Sequence, residues 1–342
     1  MAEVSTIGLD LAKSVFQVHG VDASGQVVVQ KQLRRGQVLK FFAKQAPARI
    51  GLEACGSAHY WARELTQLGH EVRLMPASYV TPYVKRNKND ARDAEACCEA
   101  VSRPTMRFVP IKTVEQQGQR ALHRARDLLV RQRTQSGNAL RAMLYEMGLI
   151  SAKGRSGVGE LVARIEAAAS DIPPGLQAAL APLARQWRAL DGEIKALDDE
   201  LLAQARRDPD ACRLMTIPNV GPVTAHAVIA AVGDGRQFAS ARDFAAWVGL
   251  TRKNHDTGGK ARLTGRVSKA GDRSLRRLLV LGASGGLRHV RARPDKGSAW
   301  VNGLLARRPV KVAVVAQAAK TARIIWAVLT KGEDYRARPL AA

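Results

Sequence analysis

The sequence predicts an α/β N-terminal domain, then a helical coiled-coil segment, then a mainly α C-terminal domain. Three observations predict it. Apolar strand-like runs alternate with helical periodicity over residues 1–110. Charged and apolar residues then mix at helical period over 111–207. Residues 208–342 read as helices separated by turns and one basic, glycine-rich stretch. A chain of 342 residues has room for three such parts, at 1–110, 111–207 and 208–342. Hydrophobic residues make up 46% and aromatics only 5%, so the cores must be built from Leu, Val, Ile and Ala.

In the first part, residues 4–9 form an apolar strand ending on Asp10. Residues 15–21 and 27–33 are two more strands, joined by the turn Asp22-Ala-Ser-Gly25 into a hairpin. Residues 37–44 are helical, 49–52 form a short strand ending on Glu53, and 58–68 are helical. A strand at 71–75 and a helix at 90–102 complete the order βββαβαβα, which is that of ribonuclease-H-like nuclease folds. In the second part, helices over 114–147 and 176–205 flank a shorter one. The breaks fall at 154–159 and at Pro173-Pro174-Gly175. A helical hairpin or coiled-coil arm fits, and so do helices of one globular bundle. In the third part, 214–231 reads as helix, tight turn, helix, and 241–248 as a helix. A loop or short hairpin follows at 253–269, then helices at 273–281 and 310–329.

Lys plus Arg total 54 and Asp plus Glu 30, a formal net charge of +24. Few metabolic enzymes need such an excess, whereas a partner with a dense array of phosphates does. Charge alone also fits a generic basic protein. Residues 1–100 hold 13 basic and 10 acidic residues, +3, and residues 251–342 hold 21 and 5, +16. The C-terminal third is therefore the expected phosphate-contacting surface. The cysteines, Cys55, Cys97, Cys98 and Cys212, form no CxxC pair, which points to a reduced, cytoplasmic protein. The N-terminus MAEVSTIGLD lacks the basic n-region of a signal peptide. The most apolar stretch, 310–329, is interrupted by Lys311, Gln317, Lys320 and Arg323, so no membrane span is expected.

Four acids stand out. Asp10 and Glu53 end strands in matching contexts, Ile7-Gly-Leu-Asp10 and Ile50-Gly-Leu-Glu53. Asp90 and Asp93 share one face at a helix start, after the basic run Lys85-Arg86-Asn87-Lys88-Asn89. Each alone is ordinary: a turn residue, an N-cap, a first-turn charge favoured by the helix dipole. Together they offer the converging hard oxygens that Mg²⁺ or Mn²⁺ requires to clamp a phosphodiester. Lys88 suits the substrate phosphates. Further along, Ile217-Pro-Asn-Val-Gly221-Pro resembles a helix-hairpin-helix turn, where glycine permits a tight turn and helix-start N–H groups hold a phosphate. An ordinary helix–helix corner has the same pattern. The loop Lys253-Asn-His255-Asp256-Thr257-Gly258-Gly259-Lys260 runs on into Arg262, Arg266, Ser268, Lys269, Arg273, Arg276 and Arg277. A hydroxyl beside paired glycines in a cationic field suits a nucleophile or a phosphate cradle, and a flexible backbone-binding loop as well.

At these residues the chain resembles the DEDD transposases of bacterial insertion sequences, the IS-one-ten family. The likeness runs through Ile7-Gly-Leu-Asp10-x-Ala-Lys13, Leu52-Glu53-Ala-x-Gly56, Lys88-x-Asp90-x-x-Asp93-Ala94 and Ile217-Pro-x-x-Gly221. It continues in Phe244-Ala-Ala-Trp-x-Gly-Leu250-Thr and Ser268-Lys-Ala-Gly271-Asp-x-x-Leu-Arg-Arg277, so nearly the whole chain is covered. The resemblance implies a RuvC-like N-terminal domain joined through a coiled coil to a C-terminal transposase domain. It implies that Asp10, Glu53, Asp90 and Asp93 bind the metal and that a C-terminal hydroxyl forms a covalent link to DNA. It also implies a structured guide RNA from the same element, a homo-oligomer (dimer or tetramer), and a cytoplasmic, nucleoid-associated setting. The family loop usually carries serine at one or both of the positions that hold Asp256 and Thr257 in this chain. Aligning on Gly258 makes Thr257 the candidate nucleophile, with Ser268 the competitor. A RuvC-like junction nuclease using metal-activated water, and a non-catalytic nucleic-acid-binding protein, are the other readings.

Overall fold

The structure is a computed structural model that describes residues 3–85, 89–254, 258 and 263–336. The chain divides into two compact units, 1–115 and 116–342, with the boundary in the first turn of a long helix.

The first unit is built on β1 (Thr6–Asp10), β2 (Val15–Val21), β3 (Val27–Arg34), α1 (Val38–Phe42), β4 (Arg49–Glu53), α2 (Ala58–Gln67), β5 (Glu71–Met75), the short α3 (Ala77–Val80) and α4 (Asp90–Val101). The strands form one mixed sheet in the order β3-β2-β1-β4-β5. β1, β2 and β3 are antiparallel neighbours, while β4 runs parallel to both β1 and β5. Alternation along the strands separates two faces. Ile7, Leu9, Ile50 and Leu52 point to a core shared with Val38, Phe42, Trp61 and Leu65 of α1 and α2. Phe16 meets Trp61 edge-on, with ring centroids 5.0 Å apart.

The opposite face is covered by α4, and glycine decides how closely. Gly8 and Gly51 are register partners on β1 and β4. A Cβ at Gly8 would lie 2.0 Å from the Ala94 carbonyl oxygen, and one at Gly51 would lie 2.7 Å from the Cys97 carbonyl oxygen. Two bare positions side by side thus make a trough into which the α4 backbone sinks. Ala94, Ala96, Cys97, Ala100 and Val101 are buried where the helix meets the sheet.

The second unit contains α5 (Val114–Tyr145), α6 (Arg155–Glu166), α7 (Pro174–Arg207), α8 (Pro209–Met215), α9 (Pro222–Val232), α10 (Ala241–Trp247), β6 (Arg252–Asn254), β7 (Leu263–Val267), α11 (Arg273–Ala292), α12 (Ala299–Arg307) and α13 (Val310–Lys331). α5 and α7 run antiparallel. Arg126 pairs with Asp198 and Arg133 with Asp191, seven residues up one helix against seven down the other. Leu140 and Leu144 of α5, Leu161 and Ile165 of α6, and Leu180 and Trp187 of α7 form a separate core that closes this hairpin. The expected break at 154–159 is narrower than the sequence suggested. Gly154, at φ 102°, stands at the α6 N-cap, and Gly157 and Gly159 lie inside the helix. The larger core of the unit joins α8, α9, α10, α11 and α13 with Ala205 of α7. α13 is long and apolar enough to cross a membrane by length and composition, but Ala313, Ala318, Ala322 and Ile325 are packed into this core. α11 extends well beyond the 273–281 expected, and α12 was not anticipated.

Candidate functional site

In the first unit the carboxylates are positioned by strand register and by α4. Leu9 and Leu52 are register partners on parallel strands, so Asp10 and Glu53 follow side by side at the strand ends. Each acid lies two residues beyond the glycine of its strand and shares that glycine's face, the one covered by α4. At the helix start, Asn89 is the N-cap, its side chain accepting the Arg92 N–H at 2.9 Å. Asp90 is therefore released from capping and occupies the first helical position, with Asp93 one turn along.

Ligand oxygens of Asp10, Asp90 and Asp93 lie within 4.8 Å of one another. Glu53 falls outside that trio, but its charge is felt at Asp10. Asp10 titrates at about 6 instead of 3.8. Burial is the main cause, followed by the negative charges of Asp93, Asp90 and Glu53. Cys97 packs below the cluster, and burial with the Asp10 and Glu53 charges holds its thiol far above the usual range. The Cys55 thiol is raised for the same reasons. All four cysteines are free. Such a set of hard, crowded oxygens is what a divalent cation stabilises and what protons or cations must otherwise relieve. Lys85, from the basic run before α4, is turned to Glu95 at 2.5 Å, and Lys88 lies outside the described residues.

In the second unit the turn before α9 departs from the sequence expectation. Gly221 is extended, at φ −89° and ψ 175°, and the left-handed residue is Asn219, at φ 69°. Asn219 packs on α11, where a Cβ at Gly282 would meet its carbonyl oxygen at 2.3 Å. The corner is thus a docking element for α11, with Gly221 left open. Thr257, His255, Asp256, Lys260 and Arg262 lie outside the described residues. What holds their loop is described. β6 and β7 pair antiparallel, and Lys253 and Arg266 stand exposed on the two strands. At their base, Ser268 N–H bonds the Thr251 carbonyl at 2.8 Å and Lys269 N–H the Gly249 carbonyl at 3.1 Å. Gly249 and Gly271, at φ 81° and 67°, let the two segments touch backbone to backbone.

The basic residues expected to meet phosphates divide. Arg276 donates to the carbonyls of Val248 at 2.8 Å and Ala270 at 2.6 Å, clamping the hairpin base. Arg277 is paired with Asp127 of α5. These two therefore have structural duties that sequence reasoning did not foresee. Arg273 and Lys269 are exposed. Sequence reasoning also missed Gly8, Gly51 and Asn89 as positioning residues. The repeated Gly-Leu-acid pattern carried the signal for the two glycines.

Two family models match the chain. One, described as "Transposase", covers residues 7–148, and the other, described as "Transposase IS116/IS110/IS902 family", covers residues 211–296. The chain is 48% identical to a protein of Pseudomonas aeruginosa named "Probable family 20 transposase", over 97% of this chain and 99% of that one. It is 48% identical to the "Putative transposase y4pF/y4sB" of Sinorhizobium fredii, over 98% and 86%. It is 40% identical to the "Transposase for insertion sequence element IS1328" of Yersinia enterocolitica, over 98% and 99%.

Proposed function

This chain belongs to the IS116/IS110/IS902 family of transposases, and we propose that it cuts and rejoins the DNA of its insertion sequence with an acidic metal centre and a hydroxyl nucleophile. The observation that carries the proposal is the convergence of Asp10, Asp90 and Asp93 around one point, with the Asp10 carboxyl raised by burial and then by its acidic neighbours. In this reading the first unit is a ribonuclease-H-like, RuvC-like nuclease domain, and Glu53 completes the donor set of Mg²⁺ or Mn²⁺. A cation bound there supplies positive charge that offsets charge building on the phosphoryl oxygens. The carboxylates hold it, and their crowding keeps the set poised for charge neutralisation.

The Thr257 hydroxyl is the nucleophile in this reading. Its oxygen bonds to phosphorus, the bridging phosphorus–oxygen bond breaks, and the departing DNA hydroxyl takes a proton. Attack on the linked phosphorus by a second DNA hydroxyl then releases threonine and joins the new strands. Arg276 clamps the base of the hairpin through the Val248 and Ala270 carbonyls. A structured RNA from the same element selects the DNA, and the protein works as a homo-oligomer in the bacterial cytoplasm.

The test is strand exchange on a plasmid carrying donor and target sites. Asp10→Asn should lower it by about 10²–10³-fold, the scale of losing a principal electrostatic group. Thr257→Val should abolish both exchange and the trapped protein–DNA adduct, while Thr257→Ser keeps both. An adduct still forming on Thr257→Val would move the nucleophile to Ser268. Cutting by the unaltered chain with no adduct would mean that water attacks directly.

A further inference from the structure

The arginines of α5 fall on two faces with different fates. Arg126 and Arg133 face α7 and are consumed by Asp198 and Asp191. Arg120, Arg124 and Arg131 lie on another stripe, at spacings of four and seven residues. That stripe borders the start of α11, and two hollows lie along the seam. One, about 320 Å³, is lined by Arg120, His123, Arg124, Asp272, Arg273 and Ser274. The other, about 470 Å³, is lined by Arg131, Thr134, Gln135, Asn138 and Arg277.

The carboxylates of this seam are already satisfied. Asp272 takes Arg120 at 3.1 Å and caps α11 through the N–H groups of Ser274 and Leu275. Asp127 takes the Ser274 hydroxyl and Arg277. Five guanidiniums, of Arg120, Arg124, Arg131, Arg273 and Arg277, thus face two carboxylates, Asp127 and Asp272, a surplus of three. The unmatched three are Arg124, Arg131 and Arg273, which are exposed and make no hydrogen bond or ion pair with another described residue. Arg124 and Arg131 stand about 10.5 Å apart along the axis at 1.5 Å per residue. Three nucleotides of one strand advance about 10.2 Å at 3.4 Å each. Beyond Arg131, toward the C-terminal end of α5, Thr134, Gln135 and Asn138 line the same hollow, uncharged polar groups suited to sugar and phosphate oxygens.

We propose that the α5–α11 seam is a track for the phosphodiester backbone of one nucleic-acid strand, gripped by Arg124, Arg131 and Arg273. It rests on the transposase reading above and moves part of the binding surface from the C-terminal block, where the sequence placed it, onto α5. DNA and RNA present the same phosphates to this track, and the experiment separates them.

The experiment measures fluorescence anisotropy of labelled 30-nucleotide probes with the full-length chain at several salt concentrations. The probes are duplex DNA, single-stranded DNA and single-stranded RNA. Arg124→Gln/Arg131→Gln should weaken at least one probe by tenfold or more. Its salt slope should fall by about 1.8 for duplex DNA, or about 1.4 for a single strand, from two lost phosphate contacts. The probe that loses most names the strand. Arg185→Gln/Lys195→Gln on the exposed face of α7 removes the same charge elsewhere and should leave every slope unchanged. Arg124→Lys/Arg131→Lys should restore the slope. Equal losses in the α5 and α7 variants, no loss in either, or a changed oligomer size in place of a changed affinity would overturn the proposal. Strand exchange by Asp10→Asn reports on the transposase reading independently. If that variant is dead while the α5 variant keeps its slope, the track alone fails; if Asp10→Asn stays active, the metal-centre reading fails whatever the slope.

Discussion

Asp10 shows how one side chain can cost stability where carboxylates converge. Its carboxyl titrates at about 6, well above the 3.8 of an unfolded aspartate, because burial and three neighbouring acids disfavour its charge. A carboxyl with a raised native pKa binds its proton more readily folded than unfolded. The destabilisation is absent below about pH 3.8, grows through the interval, and is complete above about pH 6. Without divalent cation, this residue should therefore make the first unit less stable as pH rises through that window. A cation binding only the native state adds about 2.7 kcal/mol at 100 times its dissociation constant. Thermal melts with chelator and with Mg²⁺ should thus differ more at about pH 7.5 than at about pH 5, where protons compete for the same oxygens. Asp10→Asn should melt higher than the unaltered chain in chelator and respond less to Mg²⁺. A Mg²⁺ response identical in that variant would show that the cation stabilises from elsewhere.

At the scale of elements, the central device is the fit of α4 onto β1 and β4. Gly8→Ala places a methyl 2.0 Å from a backbone oxygen, and Gly51→Ala places one 2.7 Å from another. Overpacking of this kind costs about 1–3 kcal/mol, and Gly8 should reach the upper end because a helix backbone cannot rotate aside. Gly118 in α5 has nothing within 4 Å of an added Cβ, so Gly118→Ala should instead stabilise by about 0.5–1 kcal/mol. Denaturant titration reads the stabilities, and Mg²⁺-dependent melting reads whether a shifted α4 has carried Asp90 and Asp93 away from Asp10. Stability lost with the Mg²⁺ response intact would mean that the carboxylates do not depend on this packing.

Much of this unit was legible because local rules agree: apolar strands end on acids, and Asp90 and Asp93 share one face at a helix start, although the cap is Asn89 and not Asp90. Other features depended on partners remote in sequence. The periodicity of α5 shows that Arg126 and Arg131 lie on different faces, but only Asp198 of α7 shows which is consumed. In the same way, nothing local announces that Arg276 will turn back to the carbonyls of Val248 and Ala270. The turn at Asn219 was misassigned because Gly221 is the residue usually given a positive φ, whereas asparagine tolerates it too.

Across the whole molecule, net charge is divided unevenly between the two units. Residues 1–115 hold 16 basic and 11 acidic residues, +5, while residues 116–342 hold 38 and 19, +19. Four of the eleven acids of the first unit, Asp10, Glu53, Asp90 and Asp93, belong to the candidate metal centre, which without its cation repels phosphate. The surplus of cations that attracts phosphate belongs to the second. Deleting the basic C-terminal block would not test this, because α11 and α13 supply the core of the second unit, and the deletion would unfold what it means to discharge. Point substitution separates the functions cleanly. In chelator, Asp10→Asn should bind duplex DNA with an affinity within about threefold of the unaltered chain, less than one kcal/mol, and with the same salt slope to within about one. With Mg²⁺ it should still bind and not cut. Lys253→Gln/Arg266→Gln, on the exposed hairpin strands, should do the reverse, lowering affinity and slope while Mg²⁺ continues to raise the melting temperature. Anisotropy titrations at three salt concentrations, beside melts of the same samples, measure both quantities. If the Asp10 variant loses its grip on DNA in chelator, the first unit must contribute directly to holding the substrate, and the division of labour read from the charge map fails.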